Sequence, residues 1–222
     1  MEKNTKQIKI NKQLKLVTKE RWAFLITLLN NSEEKFTVRK LAKRINSSIG
    51  FVSKFAGQLK DLGYLKNKRT IEFADPRKLL DEMRNQYSFE NNQIQSYFSE
   101  LTPEEFIKRI QAEAKKNKLF YALTRMAGAN QVAPFVRFQT VDFYVKNSKD
   151  VKKWVEILNL QEVEISGNVN LVIPQEDFIW IDPQEKKQTI VINNIQLYLD
   201  LYKYPARGRE QAEYLRDKVI SF

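Results

Sequence analysis

The stretch "TVRKLAKRINSSIGFVSKFAGQLKDLGYLKNK" at residues 37–68 decides the fold of the first third of the chain. Its first apolar stripe has helical spacing and contains Val38, Leu41, Ala42 and Ile45. Its second stripe contains Ile49, Val52, Phe55, Ala56, Leu59 and Leu62. Asn46, Ser47 and Ser48 form a short turn between the two predicted helices, and either serine can cap the second one. Two helices joined by a tight polar turn are therefore predicted.

The flanking residues complete a recognisable order of elements. Residues 22–29 (WAFLITLL) form an apolar run of helical length before the stretch. After Gly63, two short β-prone runs enclose the basic turn "KNKR" at residues 66–69 and predict a hairpin. Three helices followed by a hairpin with a cationic tip is the order of a winged helix-turn-helix. The alternative is a small helical bundle with a hairpin whose charged surface is only solvated.

The positive charge lies in the same part of the chain. Residues 1–72 contain 17 Lys and Arg against 6 Asp and Glu, whereas residues 73–222 contain 21 of each, so the net charge of +11 comes entirely from the first third. A localised cationic excess favours binding to DNA, because neutralising phosphates releases counterions. A merely soluble lysine-rich surface would not explain why the other residues balance.

The polar side of the predicted third helix is the candidate DNA-reading surface. It is small and polar at its N-terminal end, and its acid, Asp61, comes last. Gly50 and Gly57 weaken a helix. Their presence would be explained equally well by a close approach to DNA or by a close contact between helices. The residues expected against DNA are Arg39, Lys40, Ser47, Ser48, Gly50, Ser53, Lys54, Gly57, Gln58, Lys66, Lys68 and Arg69.

The N-terminal arm is rich in lysine, with Lys3, Lys6, Lys9, Lys12 and Lys15 at every third position. On a helix this spacing would wrap round the axis and form no stripe. An extended arm along phosphates, a solvated tail and a partner-binding helix all agree with the pattern.

The amino-acid composition excludes several kinds of active site. Because the chain has no Cys and no His, thiolate nucleophiles, disulfides, imidazole bases and Cys- or His-based metal sites are excluded. Its six glycines do not have the spacing of a dinucleotide or P-loop motif. We expect no enzyme activity, no cofactor and no metal. The N-terminus lacks the apolar core of a signal peptide and no apolar run is long enough to span a bilayer, so we expect a cytoplasmic protein that does not bind membranes.

The rest of the chain contains segments with helical periodicity and segments that alternate like strands. Helices are expected at about residues 76–87, 103–118, 120–129, 148–158, 195–202 and 209–219, and strands at 135–145, 168–174, 177–182 and 188–193. The predicted fold class is α+β, with a winged helix-turn-helix followed by a mixed domain whose sheet is mainly antiparallel. We divide the chain into a DNA-binding domain with its basic arm at 1–74, a connector helix and linker at 75–100, and an α+β domain at 101–222.

Two alternative functions remain open on the residues alone. A metal-dependent nuclease could use Glu185 and Lys187 with Asp177 or Asp182, or the alternating Glu162 and Glu164. A plasmid replication or partition protein could share the winged helix. A nucleotidyltransferase is disfavoured because the chain has no Gly-Ser dipeptide before paired acids.

Three segments carry a family resemblance: "YALTRMAGANQVAPFVRFQTVDFYV" at 121–145, "GNVNLVIP" at 167–174 and "NNIQLYLDLYKYPARGREQAEYLR" at 193–216. They resemble the C-terminal domain of type IV toxin–antitoxin antitoxins, the AbiEi family, in which a winged helix precedes such a domain. The resemblance runs from about Trp22 onward, and the last segment is its most specific part.

The resemblance implies two roles. The winged helix would bind the double-stranded operator DNA of its own operon and repress transcription, as a monomer or weak dimer on DNA. The C-terminal domain would counteract a co-encoded nucleotidyltransferase-like toxin of an abortive-infection system, which family members can do without a tight complex. Arg207 and Arg209 would form an exposed loop for DNA or a partner, or would brace the last helix through an Arg209–Glu213 pair.

Overall fold

A computed structural model describes residues 14–67, 70–164 and 167–222 of the protein. The first part of the chain forms three helices and a three-stranded antiparallel sheet of strand order β1-β3-β2. The elements are α1 (Lys19–Asn30), β1 (Phe36–Thr37), α2 (Val38–Arg44), α3 (Ile49–Asp61), β2 (Leu65–Asn67) and β3 (Thr70–Phe73). The order of three helices and a terminal hairpin follows the sequence prediction, and β1 adds a third strand beside β3.

Side-chain caps set the start of α2 and α3. The hydroxyl of Thr37 accepts a hydrogen bond from the Lys40 backbone N–H, and that of Ser48 accepts one from Phe51 at 3.1 Å. Each cap satisfies a backbone donor that the first helical turn leaves without a partner. The Phe55 side chain of α3 then packs edge-on against Phe24 of α1, with ring centroids 5.0 Å apart.

The apolar stripe of α3 is buried only in its middle. Val52, Phe55 and Leu59 are at most 1% exposed. Ile49 and Leu62, at the two ends of the predicted stripe, are 54% and 47% exposed. The packed surface therefore covers the centre of the stripe and leaves both of its ends open to solvent.

The remaining chain builds a seven-stranded mixed sheet of order β7-β4-β8-β6-β5-β10-β9, in which four of the six strand pairs are antiparallel. The α+β fold class is therefore confirmed. The strands are β4 (Gln93–Phe98), β5 (Ala122–Thr124), β6 (Val141–Tyr144), β7 (Gln161–Glu162), β8 (Val169–Ile173), β9 (Gln184–Lys186) and β10 (Thr189–Val191). The helices are α4 (Pro76–Gln86), α5 (Pro103–Asn117), α6 (Arg125–Val132), α7 (Ser148–Leu158), α8 (Asn194–Tyr202) and α9 (Gly208–Leu215).

Helices cover both faces of this sheet. On one face, Trp154 of α7 packs edge-on against Phe143 of β6 and Tyr121, with centroids 5.6 and 6.1 Å apart. Neighbouring β6 residues point the other way, since side chains alternate along a strand. Tyr144 there donates a hydrogen bond to Asp200 of α8, and Asp142 pairs with Arg125 of α6. The core therefore lies on both sides of β6.

Several local expectations were wrong. Residues 177–182 were expected as a strand but contain a short 3₁₀ helix, Asp177–Trp180, which places the Phe178 ring 5.2 Å from Trp22. The helix expected at 120–129 begins only at Arg125, because β5 takes up Ala122–Thr124. The domain division at residue 100 stays a prediction; strand β4 lies within the predicted connector and linker and pairs with β8. Of the strand expected at 135–145, only Val141–Tyr144 pairs.

Helix α1 joins the two parts of the chain. Trp22 is fully buried and donates a hydrogen bond from Nε1 to Oε1 of Gln196 in α8 at 2.8 Å. Its ring also stacks on Tyr87 at 5.5 Å. Two ion pairs also connect the two parts of the chain: Lys19 of α1 with Asp177, and Arg44 of α2 with Asp182. Among the described residues, the helices are all too short or too polar to cross a membrane.

Candidate nucleic-acid interface

The outward side of α3 is polar and has few partners within the described residues. Gly50, Ser53 and Lys54 are exposed, while Gly57 and Gln58 are half-buried. The side chains of Ser53 and Lys54 make no hydrogen bond or ion pair in the described parts of the chain. These groups are therefore available to an external ligand.

The two glycines of α3 do not serve helix packing. A Cβ added at Gly57 would meet no atom within 4 Å, and one added at Gly50 would meet only the Ser48 hydroxyl oxygen, at 4.0 Å. Close contact between helices, which the sequence left as an alternative, therefore does not account for them. The space in front of both residues is open.

The turn before α3 contributes hydroxyl groups. Ser48 is exposed and Ser47 half-buried. Because the Ser48 oxygen accepts the Phe51 backbone N–H as a cap, its own hydroxyl proton remains free to donate. A donor at this place is suited to a phosphate oxygen beside the first turn of the helix.

The cations of α2 differ in their surroundings. Arg39 is exposed and has no ion-pair partner among the described residues. The Lys40 ammonium forms a salt bridge with Glu34 and lies 5.6 Å from the centre of the Phe36 ring. Of these two predicted DNA contacts, Arg39 is thus the more available.

The hairpin formed by β2 and β3 carries a paired lysine. Lys66 Nζ lies 3.2 Å from Oε1 of Glu72 on the adjacent strand, and both side chains are more than half exposed. Lys68 and Arg69, the predicted tip, lie outside the described residues, as do Lys3, Lys6, Lys9 and Lys12 of the arm. Lys15 is described and is exposed.

Arg207 and Arg209 are engaged locally near the start of α9. The Arg207 guanidinium is 2.6 Å from Oε2 of Glu210, which raises the pKa of Arg207 and lowers that of Glu210. Arg209 lies 5.4 Å from the Tyr202 ring centre. Glu213, expected to pair with Arg209, instead pairs with Arg216 at 3.8 Å.

The carboxylates of the nuclease alternative are dispersed. Asp177 and Asp182 form ion pairs with Lys19 and Arg44, and Glu185 is exposed on the edge strand β9. In the described parts of the chain, no group of three or more acidic side chains is placed to hold a metal ion.

The sequence did not lead us to predict a buried polar network in the C-terminal part of the chain. Asp200 of α8 is 1% exposed and accepts four hydrogen bonds. Its donors are Tyr87 at 2.7 Å, Gln196 at 2.7 Å, Thr124 at 2.6 Å and Tyr144 at 2.9 Å. Burial raises the pKa of Asp200, and the hydrogen bonds it accepts act in the opposite direction. Gln196 and Asp200, four residues apart in the otherwise apolar "IQLYLDL", were the available signal.

Arg125 forms a second buried polar group. It adopts a left-handed backbone conformation with φ of 47°, and its guanidinium lies 3.5 Å from Asp142 and 3.1 Å from Glu90. The Phe89 ring centre is 3.5 Å from the same group. Burial raises the pKa of Asp142, which Arg125 counteracts. These contacts bind β6, α6 and the segment before β4 together.

Comparison with known protein families shows which family this chain belongs to. Residues 72–221 match the model of a family described as "Transcriptional regulator, AbiEi antitoxin, Type IV TA system". The chain belongs to this AbiEi antitoxin family. The resemblance stated from the sequence is thereby confirmed over the C-terminal two thirds, while the three helices before residue 72 lie outside the match. Comparisons with curated proteins and with solved structures gave no match.

Proposed function

We propose that this AbiEi-family regulator represses its own operon through a winged helix-turn-helix at residues 1–74. In this proposal α3 lies in the major groove, and the hairpin of β2 and β3 follows the phosphate backbone. The observation that carries it is the open outer side of α3, where Ser53 and Lys54 have no partner among the described residues. This side lies within residues 1–72, whose net charge of +11 equals that of the whole chain.

The contacts divide by chemistry. Gly50 and Gly57 allow the helix backbone to approach the groove, and Ser53 and Gln58 can hydrogen-bond to base edges. Lys54, Arg39 and Lys66 neutralise phosphates. Ser47 and Ser48 position the first turn. Lys40 and Lys66 contribute less than the other two cations because Glu34 and Glu72 already compensate their charges. Lys68, Arg69 and the N-terminal lysines add cationic groups at the tip of the wing and in the arm.

We further propose that the α+β domain at 101–222, joined through the segment 75–100, counteracts a nucleotidyltransferase-like toxin encoded beside this gene. The family match supports this role, since it spans the whole of the seven-stranded sheet. Strand β4 from the connecting segment belongs to that sheet. Arg207 and Arg209 brace the start of α9 in this proposal, because both are engaged within their own neighbourhood.

The DNA-binding half is tested by salt dependence. Binding of the full chain to a DNA fragment containing its own promoter would be followed by fluorescence anisotropy between about 50 and 200 mM salt. Lys54→Ala should weaken binding and reduce the slope of log Kd against log salt by about one. Lys116→Ala, an exposed lysine on α5, is the matched control and should leave both unchanged. If the two variants had the same affinity and the same salt slope, α3 would not be part of the DNA interface.

The antitoxin half needs a separate assay. Co-expression with the adjacent toxin gene should restore growth for the wild type and for Lys54→Ala, because the substitution lies outside the C-terminal domain. Growth arrest with the folded wild-type chain present would contradict the antitoxin role and leave the DNA-binding role standing.

A further inference from the structure

Ile49 is the first residue of α3, and its side chain is 54% exposed. It directly follows the Ser48 cap, and Ser53 lies one turn further along the same side of the helix. Single exposed apolar residues are ordinary on protein surfaces, so exposure alone means little. What sets Ile49 apart is its place in the first turn of the proposed reading helix.

The surroundings of Ile49 are otherwise small and polar. Ser48, Gly50 and Ser53 are exposed, and the Gly50 and Gly57 positions have open space in front of them. A branched aliphatic side chain therefore projects beyond its neighbours at the end of the helix that enters a major groove first. Covering it with an apolar group would release the water that it now orders.

The major groove offers one distinctive apolar group at base edges, the C5-methyl group of thymine. We propose that Ile49 reads sequence by packing on the methyl group of a thymine in the operator. This inference rests on the proposed DNA-binding function and adds a specificity residue to it. Hydrogen-bonding residues such as Ser53 would then distinguish the neighbouring base pairs.

The test removes the methyl group and the side chain separately. The operator would first be defined by selecting tight binders from random DNA with the full-length wild-type protein. Each thymine is then replaced singly by deoxyuridine, which lacks only the methyl group. At one thymine the replacement should weaken wild-type binding about three- to fivefold, as expected for loss of one buried methyl contact. With Ile49→Ala, the same replacement should cause no further loss.

Two control variants test whether the coupling to the thymine methyl group is specific to Ile49. Leu62→Ala removes an exposed apolar side chain directly after the C-terminal end of α3, and should retain the full deoxyuridine effect. Lys54→Ala should weaken binding to both DNAs equally. Since Ile49 is exposed, Ile49→Ala should keep the wild-type melting temperature, and Ile49→Val should keep most of the thymine preference.

The failures are distinguishable. If the wild type selects no sequence, the proposed DNA-binding function fails and the inference with it. If the wild type binds an operator but deoxyuridine costs the same in Ile49→Ala, or nothing at any thymine, only the Ile49 contact is overturned. A change in oligomeric state with Ile49→Ala, without coupling to a thymine, would assign the side chain to a protein contact instead.

Discussion

Helices α3 and α8 place polar groups in opposite ways. The outer side of α3 presents Ser53 and Lys54 to solvent without partners in the described chain, whereas α8 buries every residue from Ile195 to Leu201. Two buried polar side chains of α8, Gln196 and Asp200, make their hydrogen bonds inside the protein. Polar groups left open are available for a ligand, and those already satisfied serve the fold. On this comparison, substitutions in α3 should change binding and those around α8 should change stability.

The largest expected effect is at Asp200. Asp200→Ala would leave the hydroxyl groups of Tyr87, Thr124 and Tyr144 and the amide of Gln196 without their buried acceptor. We expect the free energy of unfolding to fall by about 4 kcal/mol, measured by urea denaturation. Asp217→Ala, at an exposed carboxylate, should change it by less than about 0.5 kcal/mol. A small effect at Asp200 would break the comparison, because the network would then not be structural.

Alanine substitutions at Gly128 of α6 and Gly57 of α3 should have effects of intermediate size and opposite sign on stability. An alanine Cβ at Gly128 of α6 would lie 3.0 Å from the Leu123 carbonyl oxygen and 3.1 Å from Leu197 Cδ1, so Gly128→Ala should destabilise the protein by about 2 kcal/mol. Gly57→Ala meets open space and should stabilise it by about 0.5–1 kcal/mol while weakening operator binding. Thermal melts and anisotropy on both variants measure this. Stabilisation at Gly57 without loss of binding would place the DNA elsewhere.

The smallest effect compares two buried tryptophans. Trp22→Phe removes the Nε1–H that bonds Gln196 and leaves the Oε1 atom unpaired, whereas Nε1 of Trp154 has no partner in the described chain. Both substitutions remove similar volume from fully buried sites. Trp22→Phe should therefore cost about 1 kcal/mol more than Trp154→Phe in urea unfolding. Equal costs would mean that the Trp22–Gln196 bond adds no net stability between the two parts of the chain.

The sequence by itself determined the elements whose causes are local. A serine cap before α3, the start of α7 at Ser148 and the start of α5 at Pro103 follow from residues within one turn of each helix. The charge asymmetry, the family and the α+β class were also readable, because composition and quoted motifs carry them. The expected DNA contacts on α3 were proposed from the helical period alone and stay a prediction.

Only the tertiary structure decided the rest. Residues 177–182 alternate like a strand, yet Phe178 packs on Trp22 and the segment turns into a 3₁₀ helix. Short strands such as β4 and β5 obtain their pairing from partners far along the chain, which no local pattern records. Ile49 fits the apolar stripe of α3 but lies outside the packed centre. Periodicity states which side of a helix is apolar, while the position of its neighbours determines how much of that side is covered.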